Sequence, residues 1–157
     1  MTTETAIITF PLGAFRASIR DGVVRAARFE SVSVPERQDA SGVYDALSRY
    51  FTGERDALDD IEVEPEDGTP FQRDVWRQLR GIPAGTTISY AELARRVGRP
   101  TASRAVGMAN AANPVALIVP CHRVIRTGGA LGGYAYGLSY KRWLLDHEAN
   151  VLAVTAP

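Results

Sequence analysis

The residue best suited to covalent chemistry is the single cysteine, Cys121, which is followed directly by His122. The thiolate is the nucleophilic form of cysteine, and with an ordinary pKa near 8.5 only about 3% of a thiol is ionised at pH 7. A base is therefore needed, and His122 is the candidate. Neighbouring side chains of an extended chain point to opposite sides, so a bridging water would link the two. The alternative is that Cys121 is a small buried apolar residue, as most lone cysteines are.

A carboxylate that could orient His122 lies in a helical pattern near the C-terminus. The spacing predicts a helix over residues 139–148 with Leu144 and Leu145 on its buried side. Glu148 follows them at i+4 and i+3 and so lies between them on the helical wheel. A carboxylate on an apolar face needs a partner or stays protonated, and we expect Glu148 to contact His122. The alternative is that the helix frays and Glu148 is solvated.

Composition bounds the class of protein. The chain has 157 residues, of which 45% are apolar and 23% charged, values typical of a folded protein with a core. It has no apolar run near 18 residues and no signal-peptide pattern, so we expect a cytoplasmic protein without a membrane partner. One cysteine excludes an internal disulfide, and with two histidines it leaves too few ligands for a protein-only zinc site. We expect neither a metal nor a cofactor.

The net charge of zero is the sum of two opposite halves. Residues 1–68 carry 7 basic and 14 acidic side chains, whereas residues 69–157 carry 11 basic and 4 acidic ones. This asymmetry predicts two domains with a boundary at 68/69, the second of which binds a polyanion. The alternative is that surface charge merely drifts along the chain.

The first half has the pattern of a small sheet with one helix. Residues 14–20 and 23–29 alternate or run apolar on either side of Asp21-Gly22, which predicts a hairpin with a tight turn. Residues 7–10 predict a third strand, and apolar spacing between Ser41 and Gly53 predicts a helix. Residues 54–67 hold eight acids and one arginine. We interpret this last segment as a solvated linker rather than a metal site.

The second half is mainly helical. Thr69-Pro70-Phe71-Gln72 and Ser89-Tyr90-Ala91-Glu92 have the pattern of capping boxes at two helix starts. A third helix is predicted to open at Pro100 or Thr101 and to end before Pro114, which gives a helix-turn-helix pattern. Residues 115–119 predict a buried strand that leads to Cys121.

The third predicted helix has one long cation on a face of small residues. Arg104 lies about 200° around the helix from Val106, so Arg104 points to solvent if Val106 points to the core. Its face also carries Gly107, Met108 and Ala111, with Ser103 alongside. Small side chains allow the close approach that a narrow minor groove of DNA demands. The alternative is a solvated arginine on an alanine-rich helix.

Residues 127–134 form a glycine-rich segment that lacks the spacing of a phosphate-binding loop. We expect it to bend closely around a flat ligand, with Tyr134 or Tyr136 offering a ring for stacking.

Three motifs together resemble one family of proteins. They are Pro120-Cys121-His122-Arg123-Val124-Ile125, Gly132-Gly133-Tyr134 and Lys141-Arg142-Trp143-Leu144-Leu145. The family is the DNA repair alkyltransferases that act on O6-alkylguanine, also called methylated-DNA–protein-cysteine methyltransferases. The resemblance extends back through Asn110-Ala111-Ala112-Asn113-Pro114 and Arg104-Ala105-Val106-Gly107 to Thr69-Pro70-Phe71, so it covers residues 69–148.

The resemblance implies an α+β fold. A small ribonuclease H-like domain of sheet and helix would occupy residues 1–68, and a mostly helical, winged-helix-like domain with a helix-turn-helix would occupy residues 69–157. The implied partner is double-stranded DNA that contains alkylated guanine. The protein is expected to be a monomer that associates with the nucleoid when it is on DNA.

The resemblance also implies roles for single residues. Cys121 is the alkyl acceptor, His122 and Glu148 are the water-bridged base and its orienting partner, and Asn113 braces the turn beside the cysteine. Tyr90 lies near the phosphate and base of the target nucleotide.

Contact with DNA is implied for the helix that carries Arg104, which would take the place of the flipped base. Ser103, Gly107 and Ala111 would lie against the same groove, beside Tyr90.

The pocket wall for guanine is implied for Gly133, Tyr134, Ala135 and Tyr136. Two of these depart from the family pattern. Ala135 replaces a serine found in some members, so a hydrogen bond to the guanine oxygen must come from a backbone N–H. Tyr136 replaces a glycine found in many, which restricts the size of the alkyl group.

The expected reaction is the irreversible transfer of an alkyl group from guanine O6, and from thymine O4 as a further substrate, to Cys121 after the base is flipped out. The thioether product has no electrophilic carbonyl for water to attack, so each molecule reacts once. Two alternatives stay open from the residues alone. One is a non-catalytic helix-turn-helix DNA binder, and the other is a Cys-His-Glu thiol hydrolase.

Overall fold

The computed structural model describes residues 2–155, with side chains described through residue 149. The chain has a mixed α+β fold of five strands and five helices within this range. The described strands are β1 (Thr3–Phe10), β2 (Gly13–Arg20), β3 (Val23–Glu30), β4 (Ile88–Ser89) and β5 (Val124–Ile125), and the helices are α1 (Val43–Phe51), α2 (Pro70–Arg80), α3 (Tyr90–Arg96), α4 (Ser103–Ala111) and α5 (Leu138–Thr155). Two compact units result. The first is the chain through Asp67 together with Pro114–Ile118, and the second is Gly68–Asn113 together with the chain from Val119.

The first unit is built on a three-stranded antiparallel sheet in the order β1-β2-β3. The predicted hairpin is confirmed, with Phe15 opposite Phe29 in the register of β2 and β3. Asp21 and Gly22 both have positive φ, 52° and 81°, as a two-residue turn between twisted strands requires. β1 starts four residues earlier than predicted, because its polar first half pairs with β2 although it lacks an apolar pattern.

Helix α1 packs against β1 in this unit. Its first backbone N–H groups, those of Val43 and Tyr44, donate to the carboxylate of Asp39 at 3.1 and 2.8 Å. Leu47 and Tyr50 on its inner face are fully buried. The helix ends before Gly53, as predicted.

The acidic segment after α1 is only partly the solvated linker that we predicted. All eight of its carboxylates are exposed. However, Ala57 and Leu58 are buried, and the backbone of Val24 in β3 donates to Glu62 and accepts from Glu64, both at 2.9 Å. The segment is therefore part of the first unit, because its backbone pairs with β3 and two of its apolar residues are buried.

The second unit is built on α2, α3 and α4, which pack on one another. Val75, Leu79, Leu93 and Val106 on their facing sides are all fully buried. The Nε1 of Trp76 donates to the carbonyl of Ala109 at 2.9 Å and fixes α2 against α4.

Three helix starts can be compared with their predictions. At α2 the capping box of Thr69 and Gln72 is complete. At α3 only half of the second box forms, because Ser89 accepts from the N–H of Glu92 while the Glu92 carboxylate pairs with Arg95 and Arg96 instead. The prediction that α4 starts at Pro100 or Thr101 was wrong by two to three residues. The N–H of Ala102 closes a turn onto Arg99, and the helix begins at Ser103.

The predicted strand over residues 115–119 was wrong. All five residues are buried, but the chain turns there, with a hydrogen bond from the N–H of Ile118 to the carbonyl of Ala116 at 2.7 Å and a φ of 67° at Leu117. A short apolar run bounded by prolines is compatible with a buried turn as well as with a strand. The strand next to the cysteine is β5, which pairs in parallel with β4.

Within the described part of the chain, the helices are too short or too polar for any of them to span a membrane.

The tight turn of the first hairpin gives a test of the fold. Gly22 has a φ of 81° and its missing Cβ would meet nothing within 4 Å, so Gly22→Ala tests backbone conformation alone. We expect a loss of about 1 kcal/mol in the free energy of unfolding, measured by urea denaturation, because a side chain disfavours this region. Gly81→Ala is the matched control, since Gly81 has a helical φ of −83°. Equal losses in the two variants would contradict the assigned turn.

Candidate active site

A cavity of about 480 Å³ opens in the second unit beside α4. Its volume lies in the range of small-molecule sites in proteins. Its walls come from the start of α3, the inner end of α4, the turn at Cys121 and the loop before α5. The lining residues are Tyr90, Gly107, Asn110, Ala111, Asn113, Cys121, Gly133, Tyr134, Ala135 and Tyr136.

Cys121 is the first residue of a single 3-10 turn, Cys121–Arg123, and 7% of its surface is exposed to solvent. Two asparagine side chains from the end of α4 hold the backbone of this turn. The Nδ2 of Asn113 donates to the carbonyl of Val119 at 2.8 Å, and the Nδ2 of Asn110 donates to the carbonyl of Cys121 at 3.3 Å. The sulfur is thus fixed at the wall of the cavity by backbone contacts on both sides of Pro120.

The thiol of Cys121 rests in its protonated form. Burial raises the pKa of Cys121, against the opposing effects of the Asn113 amide, the charge of Lys141 and the Tyr134 hydroxyl. Those three groups favour the thiolate once it forms, but at neutral pH they do not remove the proton. Activation therefore needs a base in the site.

His122 is held by a buried charged cluster. The Nε2 of His122 lies 2.8 Å from Oε2 of Glu148, which confirms the predicted contact between these residues. Arg123 donates to both oxygens of the same carboxylate, from Nε and Nη2, each at 2.9 Å. A third donation, from Nη1 to the carbonyl of Ile82 at 2.6 Å, completes the bonding of the guanidinium. All three side chains are at most 6% exposed.

The protonation states follow from these contacts. Burial lowers the pKa of His122 more than the Glu148 charge raises it, so the imidazole is neutral at pH 7. Burial alone would raise the pKa of Glu148, but contacts with His122 and Arg123 outweigh it and the carboxyl is ionised. The carboxylate can only accept, which assigns the imidazole proton to Nε2. The Nδ1 of His122 is then a free acceptor, and it has no hydrogen-bond partner among the described residues.

Two cations of the site were missed in the sequence, Arg123 and Lys141. Arg123 is part of the cysteine motif, but the sequence analysis predicted no ion-pair partner for its guanidinium. Lys141 is the only lysine in the chain, and it lies three residues before Leu144 and seven before Glu148, on the same face of α5. That spacing was the available signal, because a charge on a buried helical face needs partners just as Glu148 does.

Lys141 holds the glycine-rich loop. Its fully buried Nζ donates to the carbonyls of Val124, Leu131 and Gly133 at 2.7, 2.5 and 3.1 Å. Burial lowers its pKa to about 8, so the ammonium is mostly charged at pH 7. It also lies 5.9 Å from the ring centre of Tyr90. One buried cation therefore joins the loop, β5 and the start of α3.

Tyr90 is the first residue of α3 and lies against the same loop. A Cβ on Gly132, which has a φ of 72°, would lie 3.1 Å from the Tyr90 hydroxyl, so glycine is needed there for both conformation and space. Burial raises the pKa of Tyr90, and its hydroxyl stays protonated. Tyr90 is therefore a hydrogen-bond donor at the cavity.

The loop residues predicted to form the pocket wall all line the cavity. Among them, the Tyr134 side chain lowers the pKa of Cys121 against the larger effect of burial, a role that sequence reasoning missed when it assigned this ring to stacking. Tyr136 lies between Tyr134 and Tyr140, with ring centres 5.7 and 6.4 Å away. Gly133 and Ala135 are exposed at the rim.

The outward face of α4 is as predicted. Arg104 and Ala111 are exposed, Ser103 and Gly107 are half-buried, and Val106 is fully buried. Gly107 and Ala111 also line the cavity, so the face that carries Arg104 continues into the cavity wall.

Among the residues that the structure describes, no group of three or more His, Cys, Asp or Glu side chains is placed to hold a metal ion.

Known proteins match this chain in sequence. Residues 70–150 match the family described as "6-O-methylguanine DNA methyltransferase, DNA binding domain". The chain is 47% identical over 125 residues to a methylated-DNA–protein-cysteine methyltransferase of Salmonella typhimurium, with 80% of this chain and 72% of that protein covered. A protein of the same name from Mycobacterium bovis is 50% identical over 116 residues, with coverage of 74% and 69%.

Solved structures match over nearly the whole chain. The crystal structure of Mycobacterium tuberculosis O6-methylguanine methyltransferase superposes with a TM-score of 0.82 at 38% identity, covering 99% of this chain and 96% of that one. The structure of Mycobacterium tuberculosis OGT in complex with DNA gives a TM-score of 0.81 at 39% identity, with coverage of 94% and 93%. By sequence and by fold, the chain belongs to the O6-methylguanine DNA methyltransferase family.

Proposed function

We propose that this protein repairs alkylated DNA by moving an alkyl group from O6 of guanine irreversibly to the Sγ of its own Cys121. The observation that carries the proposal is a cysteine at the wall of a cavity, followed in the chain by a buried imidazole whose Nε2 is bonded to Glu148 and whose Nδ1 has no partner among the described residues. Relatives named methylated-DNA–protein-cysteine methyltransferase support the reaction, and the relative solved with DNA supports the partner.

In the proposed reaction, the thiol proton passes to Nδ1 of His122 through a bridging water. Glu148 stabilises the imidazolium that forms, and Arg123 keeps Glu148 ionised and in place. The Sγ attacks the alkyl carbon, the carbon–oxygen bond breaks, and its electron pair goes to the guanine oxygen. The Tyr90 hydroxyl stabilises the leaving guanine anion by donating a hydrogen bond, and the proton that the thiol gave to His122 passes through water to the guanine, which leaves both guanine and imidazole neutral. The thioether has no route back, so each protein molecule acts once.

The lesion must leave the duplex to reach the sulfur, because Cys121 is buried at the wall of a cavity that a base held in the stack cannot enter. We assign this step to the helix-turn-helix formed by α3 and α4. Arg104 is the long exposed cation that would fill the place of the extruded base, and Ser103, Gly107 and Ala111 provide the small surface for a minor groove. The extruded base would enter between Tyr90 and the loop residues Gly133, Tyr134, Ala135 and Tyr136.

We also propose the finer architecture and setting implied by the family. The three-stranded sheet with α1 is the basis for a ribonuclease H-like domain over residues 1–68. The helix-turn-helix with the short β4–β5 ladder is the basis for a winged-helix-like domain over residues 69–157. The protein would act as a monomer in the cytoplasm, at the nucleoid when bound to DNA.

The acceptor atom can be identified by mass spectrometry of peptides after mixing with duplex DNA that contains O6-methylguanine. We expect the peptide with Cys121 to gain one methyl group and the lesion to become guanine. Cys121→Ala should bind the duplex and leave the lesion intact. Loss of the lesion with an unmodified cysteine would exclude the proposal, and repeated turnover on an ester or amide would favour a thiol hydrolase.

The pH dependence tests the base. Because the pKa of His122 lies below its ordinary value of about 6.5, more than half of the imidazole is still neutral at pH 6.5, and the rate of alkyl transfer there should exceed half of its value at pH 7.5. At lower pH the imidazole gains a proton and the rate should fall. A rate already halved at about pH 6.5 would mean a histidine of ordinary pKa and would contradict the assignment.

The same cluster can be tested by substitution. Glu148→Gln removes the charge that stabilises the imidazolium and should slow transfer by about 100-fold at every pH. Asp146→Asn, on the exposed side of the same helix, is the matched control and should leave the rate unchanged. Equal rates for the two variants would exclude a role for Glu148.

The role of Arg104 can be separated from the chemistry by using two substrates. Arg104→Ala should slow the repair of alkylated duplex by about tenfold or more, since flipping a base costs a few kcal/mol, and should leave the reaction with free O6-alkylguanine unchanged. Arg77→Ala, an exposed arginine on α2, controls for the loss of charge. Equal losses on duplex and free base would contradict the role in base flipping.

A further inference from the structure

Asn110 lies at the inner end of α4 and contributes to the cavity wall beside Cys121. Only 5% of the surface of Asn110 is exposed to solvent. The Nδ2 donates to the carbonyl of Cys121 at 3.3 Å, so the amide is anchored to the backbone of the nucleophile itself. This contact also fixes which way the amide points, because exchanging its nitrogen and oxygen would bring two oxygens together.

The oxygen of the same side-chain amide receives no hydrogen bond from the described residues. The Oδ1 of Asn110 is buried and has no hydrogen-bond partner among the described residues. Buried side-chain oxygens in native proteins nearly always accept a hydrogen bond, and leaving one without a donor is destabilising. An acceptor that lines a ligand cavity and receives no hydrogen bond from the protein is explained if the ligand supplies the N–H or O–H donor.

The expected ligand offers one suitable donor. Alkylation of guanine at O6 removes the hydrogen from N1, so the exocyclic 2-amino group is the donor that remains on the edge of the base that carries the alkyl group. An alkylated thymine has a carbonyl oxygen at the corresponding position. An acceptor in the pocket would therefore bind the guanine edge and repel the thymine edge.

We propose that Oδ1 of Asn110 accepts a hydrogen bond from the 2-amino group of the extruded base and so selects alkylated guanine over alkylated thymine. This inference rests on the proposed function and concerns the same cavity. It assigns to Asn110 a specificity role that neither its type nor its helical position disclosed in the sequence.

The test compares two bases that differ only in this amino group. Single-turnover rates of methyl transfer are measured on duplexes that contain O6-methylguanine or O6-methylhypoxanthine, with the wild-type protein and with Asn110→Leu. Leucine has a similar size and no acceptor. The ratio of the two rates is the readout, since a general structural defect slows both substrates alike and intrinsic reactivity cancels when the two proteins are compared.

We expect the preference of the wild type for O6-methylguanine to shrink by about tenfold in Asn110→Leu, the effect of one hydrogen bond to a buried acceptor. The relative rate on O4-methylthymine should rise in the same variant. Asn110→Asp retains an acceptor and should keep the preference for the amino group even if both rates fall, which covers the case in which Asn110→Leu fails to fold.

Each unfavourable outcome has a distinct meaning. If Asn110→Leu keeps the full wild-type preference, or if the wild type reacts equally fast with both bases, Asn110 does not read the amino group and the inference is overturned. If the wild type transfers no methyl group from either base to Cys121, the proposed function itself fails.

Discussion

The chemistry of this site depends on balancing one negative charge in the interior of the second unit. Glu148 is 1% exposed, and its carboxylate stays ionised because Arg123 binds both of its oxygens and His122 donates to one. Removing one partner from a buried pair of this kind typically costs about 3–5 kcal/mol, since an unpaired charge is left behind. The pairing fixes the tautomer of His122, and with the proton on Nε2 the other ring nitrogen, Nδ1, is an acceptor.

A second buried charge organises the other side of the cavity. The ammonium of Lys141 is bonded to three backbone carbonyls, two of which belong to the glycine-rich loop. These bonds hold the loop next to Tyr90, which Gly132 approaches closely. Glu148 and Lys141, one from each charged cluster, both lie on the buried face of helix α5. The helix tolerates these buried charges because each of them has hydrogen-bond partners.

The surroundings of Cys121 have opposite effects on its protonated thiol and its ionised thiolate. Burial raises the pKa of Cys121 and keeps the thiol protonated, and the polar side chains of Asn113 and Tyr134 act in the opposite direction. A buried, protonated thiol of this kind is a poor nucleophile until its proton is removed. It is activated by transfer of its proton within the site rather than by ionisation in water.

Sequence reasoning predicted the parts of this arrangement that depend on local periodicity. The hairpin, α1, α2 and the contact of Glu148 with His122 followed from turn chemistry and from the cost of burying a carboxylate. Residues 115–119 were misassigned, because an apolar run fits a buried turn as well as a strand. The partners of Arg123 and Lys141 and the open acceptor of Asn110 could not be predicted, since periodicity gives the face of a helix and not what lies across from it.

The central claim is that a single buried sulfur is consumed as the reactant. It is tested most directly by incubating the protein with a large molar excess of O6-methylguanine duplex and counting the lesions repaired per protein molecule. The account predicts that repair stops at one per molecule, with all protein alkylated. Continued repair beyond that point would contradict it, because a thioether at Cys121 cannot be released by anything that this site provides.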